Sequence, residues 1–517
     1  MVSPYGRYEA DKGIAIILNC KRMVFQKEDH GMKRIKKDLV IVAAGPSGLS
    51  AAISGAEAGL SVAVFEKTAV TGGSANMGMG LFAAESKLQK KNLIGITKDE
   101  AFRKFMEYTH WRVDANLVRK YINKSSETIE WLEDMGVEFY DSARYFAESE
   151  ETWHRVKPDS GVPGPRAASK MFAIMTEHAK ELGVEFFLET PVKKLIKEEG
   201  RVCGVIAADK DGEEIHAEAG AVVVATGGFG GNPEMVKKYL GRELGKDLFL
   251  FPIPALQGDG CRMAWEAGAA KSDIMWEMTY CMPASNDGDP ELARLFCQPN
   301  LLVNLEGERF INEAIMDNTT FTGNAINLQT DHVAFSIVDS SIIKKYERNG
   351  MDCVSLVYPF FELSNFREKF DAAMENGNPD LYYGETLEEL AANTGINYEE
   401  LVLTIDEYND MCETGDKLFN KPKQYMKPLK KGPYFAGRMF PSGYGTLGGI
   451  KINHKMEALD ENNRPIPGLY AAGTDACNIF GDSYVFIMPG NTMGFCINGG
   501  RMAGENAAEY IDGLEEE

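Results

Sequence analysis

The chain has 517 residues, 44% hydrophobic and 26% charged, which is the composition of an ordinary globular protein and long enough to predict two domains. Its formal charge of −22 argues against nucleic acid or an anionic membrane surface as partner, and no apolar run approaches the length of a membrane-spanning helix. The nine cysteines (20, 203, 261, 281, 297, 353, 412, 477, 496) form no CxxC motif, so no metal site, iron–sulfur cluster or c-type haem is expected, and scattered thiols fit a cytoplasmic setting.

Residues 1–34 read as an N-terminal extension, with Met32 a plausible natural start just before the first strand. Asp38–Ala44 is an apolar run suited to a strand covered on both faces. A tight turn follows at Ala44, Gly45, Pro46, Ser47 and Gly48, then an alanine-rich helix over Leu49–Gly59 and a second strand over Leu60–Phe65. Glu66 ends that strand, 21 residues after Gly45, with Lys67 beside it. Strand, glycine turn, helix, strand and acid in this register predict a dinucleotide site, with pyrophosphate on the helix N-terminus and the carboxylate on ribose. The first glycine of the usual fingerprint is replaced by Ala43. A second glycine turn at Gly72, Gly73 and Ser74, running through Asn76, Met77 and Gly78, lets more backbone amides approach a cofactor, which favours FAD over NAD.

Helical periodicity covers 98–136 and 169–182, and a strand is expected over Val184–Leu188. Val192–Lys197, Cys203–Asp209 and Glu214–Ala217 alternate like a small antiparallel sheet, with Val192 at the edge of the cofactor site. Ala221–Ala225 is a buried strand running into Thr226, Gly227 and Gly228, where ligands bind in such sheets. Gly258 and Asp259 open a helix through Ala267. From about 280 to 430 polarity is mixed and aromatic clusters appear, which reads as an inserted cap carrying helices over 386–393 and 398–413. The small-residue pattern then returns in a glycine-rich loop over Gly443–Gly449 that includes Gly448, a strand over Ile450–Asn453, and a strand ending at Gly473 and Thr474. Gly490, Asn491, Thr492 and Met493 begin a final helix through Tyr510, whose N-terminal amides can stabilise a reduced flavin.

With these segments placed, the chain resembles the flavoprotein family that contains fumarate reductase, succinate dehydrogenase, urocanate reductase and the 3-ketosteroid dehydrogenases. The resemblance spans about residues 36–512 and rests on AAGPSG, FEK, GGSANMG, VVVATGGFGGN, QGDG, NLEGERFINE, GTLGGI, IPGLYAAGT and GRMAGENAA. It implies an α/β fold: a Rossmann-like FAD-binding domain split into 35–280 and 433–517, with an α+β cap, or substrate, domain inserted at 281–432. It also implies non-covalent FAD and hydride transfer between flavin N5 and a carbon beside an activating group.

The dicarboxylate-binding residues of that family are missing. Its His-Pro-Thr motif corresponds to Met282-Pro283-Ala284, its Thr-Glu pair to Leu292-Ala293, a His before the Gly-Gly turn to Gly445, and a late Arg to Ile487. Its proton-donating Arg has no counterpart in Asn312–Asp317. A dianion in such a pocket would keep unpaired charge, so fumarate is not the expected substrate. By resemblance to the ketosteroid members, Tyr484, Tyr444 and Tyr280 are the candidate catalytic residues. His110 and His154 read as structural residues, and Arg166 and Arg309 as salt-bridge residues. No second nucleotide fingerprint is present, so electrons are expected from a separate donor or to a separate acceptor. The expected substrate is an apolar enone or steroid-like molecule; an unsaturated monocarboxylate (aryl acrylate or urocanate-like) and a non-enzymatic flavin redox module are the alternatives.

Overall fold

The computed structural model describes residues 33–251, 253–281, 289–357 and 361–516. Nearly all of the N-terminal extension and the Met282-Pro283-Ala284 segment lie outside the described residues. Five strands run parallel in the order Glu185–Phe187, Val62–Phe65, Lys33–Val42, Glu214–Val224 and Pro465–Ala471. Leu39–Val42, Val62–Phe65 and Ala221–Val224 are fully buried, as a sheet covered on both faces demands. Val192–Glu198 and Arg201–Ala208 form an antiparallel extension paired to Glu214–Val224, and Glu457–Leu459 adds an antiparallel edge.

The first helix, Pro46–Glu57, packs against the last, Asn491–Glu516. Close approach requires small residues here: a Cβ on Gly500 would lie 2.3 Å from the Ser47 carbonyl oxygen, and one on Gly504 2.5 Å from that of Ala51. The end of the chain therefore braces the cofactor turn at its beginning.

A second, six-stranded sheet is organised around Tyr434–Leu447, which pairs with Phe249–Leu250, Met275–Cys281, Ala334–Asp339 and Leu381–Gly384. Leu301–Val303 completes it. Two buried clusters result, one including Leu39, Trp276 and Leu447, the other running from Tyr280 to Met439. The architecture is mixed α/β, with a parallel sheet carrying the cofactor turns.

Local structure departs from the sequence expectations in four places. The 98–136 periodicity is two helices, Lys98–Tyr108 and Ala115–Asp134, because the Asp114 carboxylate accepts the Asn116 and Leu117 amides and caps a new start. Glu214–Ala217 and Ala221–Ala225 are one strand, Glu214–Val224, since Lys33–Val42 pairs along nearly its whole length. The glycine-rich 443–449 stretch is mostly strand rather than loop. Its glycine at 443 serves packing, as a Cβ there would lie 2.2 Å from Trp276 Nε1. Ile450–Asn453 forms only isolated bridges, Ile450 to Lys271 and Ile452 to Ala458.

Candidate functional site

The carboxyl ends of the parallel strands converge on a cavity of about 550 Å³. Its floor is the turn after Lys33–Val42. Ala43 has φ 83°, the left-handed region that disfavours a side chain, and Gly48 is packed so tightly that a Cβ would lie 1.9 Å from the Ala43 carbonyl oxygen. Glu66 locks the turn: one carboxylate oxygen accepts the Ala44 amide at 2.8 Å, the other the Thr68 amide and hydroxyl, each at 2.8 Å. The second glycine turn abuts the first, with the Gly72 amide donating to the Ala44 carbonyl at 2.8 Å and a Cβ on Gly73 reaching to 3.3 Å from Gly45 Cα. Asn76 holds that turn through the Thr71 carbonyl.

The buried Asp475 carboxylate ties the end of Pro465–Ala471 to the turn after Glu214–Val224. It accepts the amides of Thr226, Gly227 (3.2 Å) and Gly228 (2.8 Å), and the Thr226 hydroxyl. Lys67 pairs with Asp259 at 2.9 Å at one end of the cavity. Glycine amides at a helix N-terminus, with a carboxylate at the end of the second strand, fit the diphosphate and ribose of FAD.

Of the sequence-predicted cofactor residues, Gly45, Pro46, Ser47, Glu66, Lys67, Gly73, Ser74, Met77, Gly78, Val192, Ala225, Thr226, Gly227, Asp259, Gly473, Thr474, Gly490, Thr492 and Met493 line this one cavity. Ala44, Gly48, Gly72, Asn76, Gly228, Gly258, Gly448 and Asn491 stand behind the lining. They act through backbone bonds such as Gly258 N–H to the Gly228 carbonyl and Gly448 N–H to that of Thr474. The Asn491 amide is spent on the Val485 and Met488 carbonyls, and its oxygen accepts the Tyr121 hydroxyl.

The three candidate tyrosines separate. Tyr484 lines the cavity and is buried, and its hydroxyl oxygen accepts the Thr492 amide at 3.1 Å, capping the first turn of the final helix. Burial holds its phenol well above the usual range. Tyr444 lies at the rim, 47% exposed and stacked on Phe251 at 4.7 Å. Tyr280 does not reach the cavity: it is buried in the other core and donates to the Met316 carbonyl at 3.3 Å. His154 is buried between Ser86 Oγ (2.6 Å) and the Thr152 carbonyl, and desolvation pushes its imidazole down to about 4. Arg309 forks between Glu313 and Asp416.

Sequence reasoning missed the aromatic end of the cavity. Tyr145, Trp153 and Phe486 cluster there, with ring centroids 5.6 Å apart for Tyr145–Trp153 and 4.6 Å for Tyr145–Phe486, alongside Met278, Thr319 and Thr320. It also missed Glu277. This buried carboxyl lines the cavity, accepts the Thr492 hydroxyl on one oxygen, and is raised by desolvation to about 7. Nothing in the local sequence flags it, because an isolated acid in Trp276-Glu277-Met278 reads as an ordinary strand residue.

The FAD binding domain family matches residues 38–486. The chain belongs to this FAD-binding flavoprotein family. It is 32% identical over 490 residues to the vinyl phenol reductase of Lactiplantibacillus plantarum, covering 92% of this chain and 96% of that protein. It is 29% identical over 489 residues to the urocanate reductase of Eggerthella lenta, covering 91% and 74%. Among solved structures, an open flavocytochrome c3 fumarate reductase superposes with a TM-score of 0.68 at 25% identity, covering 98% of this chain and 83% of that one. The fold is also that of the Rhodococcus jostii 3-ketosteroid-Δ4-(5α)-dehydrogenase, with a TM-score of 0.71 at 24% identity and coverage of 94% and 99%. The flavoprotein is accordingly an FAD-dependent oxidoreductase that acts on carbon–carbon double bonds of unsaturated substrates. Among the described residues no helix is long and apolar enough to cross a membrane.

Proposed function

We propose that this flavoprotein reduces the side-chain double bond of an uncharged aromatic alkene of the vinylphenol type. The observation that carries the reading is the lining of the cavity: an aromatic wall of Tyr145, Trp153 and Phe486, with neither Arg nor His among the described lining residues. Lys67 is the one cation among them, and it is committed to Asp259. An aryl acrylate or urocanate would bring its carboxylate to a wall with no free cation among the described lining residues, at a cost of several kcal/mol. The vinyl phenol reductase relative supports the same class of substrate.

Bound FAD supplies the two electrons as a hydride. The chain stacks the ring, excludes water and furnishes the second hydrogen as a proton. Tyr484 and Tyr444, proposed from sequence, serve here as helix cap and rim. We place the cap function in residues 281–432, take a separate redox protein or small molecule as electron donor, and assign the chain to the cytoplasm from the scattered spacing of its cysteines in the sequence.

The test is anaerobic reoxidation of photoreduced protein by a panel of alkenes, followed by flavin absorbance. 4-Vinylphenol should reoxidise the flavin fastest, with urocanate, cinnamate and fumarate slow. Faster reoxidation by a carboxylate would overturn the reading, and faster reoxidation by a steroid enone would move it to a carbonyl-activated substrate.

A further inference from the structure

We propose that Glu277 is the acid of this site, delivering the proton to the substrate carbon that adjoins the one receiving hydride. The assignment rests on the aromatic-alkene reading for its reaction partner, but its evidence is geometric.

The ladder between Met275–Cys281 and Tyr434–Leu447 is irregular at one place. Trp276 pairs with Thr446 and Met278 with Gly443, so Glu277 alone faces Tyr444 and Gly445 and has no ladder partner. Such irregularities re-aim a side chain, and here the side chain lines the cavity that holds the aromatic wall and Thr492. The residue is 8% exposed, and the carboxyl's one hydrogen bond among the described residues is from the Thr492 hydroxyl to Oε1. That leaves the second oxygen to carry a proton.

The surroundings keep the proton on. Among the described lining residues the one cation is Lys67, and it is paired with Asp259. The titratable neighbours are Tyr484 and Cys477 on the 476–488 segment and Cys496 on the final helix, and burial pushes all three up, so they stay neutral. Desolvation, partly offset by the Thr492 hydroxyl, raises Glu277 to about 7. It is protonated in neutral to acidic solution and deprotonates readily, as a general acid at physiological pH requires.

A vinylphenol needs such a group more than an enone does. It has no carbonyl to accept the electrons of an arriving hydride, so protonation must accompany or precede that step. The O–H bond of Glu277 breaks as a C–H bond forms at the terminal vinyl carbon, and the positive charge spreads through the ring onto the phenol oxygen. Hydride then closes on the benzylic carbon. One hydride and one proton are added across the double bond. Glu277 is left as a carboxylate and regains its proton from water when product leaves.

The test compares wild type, Glu277→Gln and Glu277→Asp as FAD-loaded proteins. Glutamine preserves the acceptor for Thr492, so FAD content and flavin spectrum should match wild type. Reoxidation by 4-vinylphenol should fall about 100-fold or more. In wild type the rate should decline above about pH 7; that break should vanish in E277Q and return, with partial rate, in E277D. Infrared titration without substrate should show a neutral carboxyl band fading near pH 7 in wild type and absent from E277Q. A rate in E277Q within threefold of wild type, or no such band in wild type at pH 6, would overturn the assignment. If 4-vinylphenol fails to reoxidise even the wild type, the substrate reading falls alone, and the infrared titration still decides whether Glu277 holds a transferable proton.

Discussion

Replacing Glu277 by glutamine should change the stability of the flavoprotein in a pH-dependent way whose sign follows from burial. In the unfolded chain this carboxyl titrates near 4.5; in the folded protein desolvation raises it to about 7. The folded state therefore binds the proton more tightly than the unfolded state. The associated stability is fully present below about pH 4.5 and is lost as pH rises through about 7, where folding must bury a charge. At about 1.4 kcal/mol for each pH unit between the two values, the wild type loses roughly 3 kcal/mol over this window. E277Q has no proton to lose. Its stability relative to wild type should rise by about that amount between pH 4.5 and pH 8. Paired urea unfolding of the two proteins with excess FAD measures this directly, because pH effects common to both cancel. A difference that stays constant within about 0.5 kcal/mol across the range would refute the burial argument and the acid with it.

Ala43→Gly relieves a side chain held at φ 83°, and should stabilise the protein by about 1 kcal/mol without loss of FAD, seen as a higher Tm of the loaded protein; a lower Tm would contradict the strain argument. Arg309→Met removes the guanidinium shared by the buried Glu313 and Asp416 carboxylates, leaving Glu313 with Lys421 and Asp416 with backbone amides, and should cost about 3 kcal/mol in urea unfolding, with turnover per folded molecule unchanged. Tyr280→Phe removes a hydroxyl that serves the Met316 carbonyl away from the cavity, so about 1 kcal/mol of stability should go while kcat stays at the wild-type value. Tyr484→Phe strips the acceptor from the Thr492 amide; reoxidation by substrate should fall less than in E277Q, and an equal fall would shift the acid role to Tyr484.

The cofactor half of the site was legible because the chain builds it from contiguous turns. The Ala43–Gly48 loop and the Gly72–Gly78 loop are dictated by backbone demands that glycine and small residues satisfy locally, and Glu66 sits at a register set by strand and helix length. The same logic misled where glycine had another purpose. Gly443 lies within a strand because Trp276 fills the space its side chain would occupy, a long-range reason with no local signature. The tyrosines chosen by family resemblance illustrate the limit: three similar residues scatter to a helix cap, a rim and a separate core.

The amino-acid sequence by itself determined the cofactor and the mixed α/β architecture, since each follows from short motifs of glycine turns, strands and helices. Only the tertiary structure decided what faces the substrate. Tyr145, Trp153, Glu277, Phe486 and Thr492 are spread over some 350 positions and share no pattern. One irregular β-ladder and the return of the final helix to the first bring them around a single cavity. Burial there then does what no sequence position can, turning an ordinary glutamate into an acid that holds its proton near neutral pH.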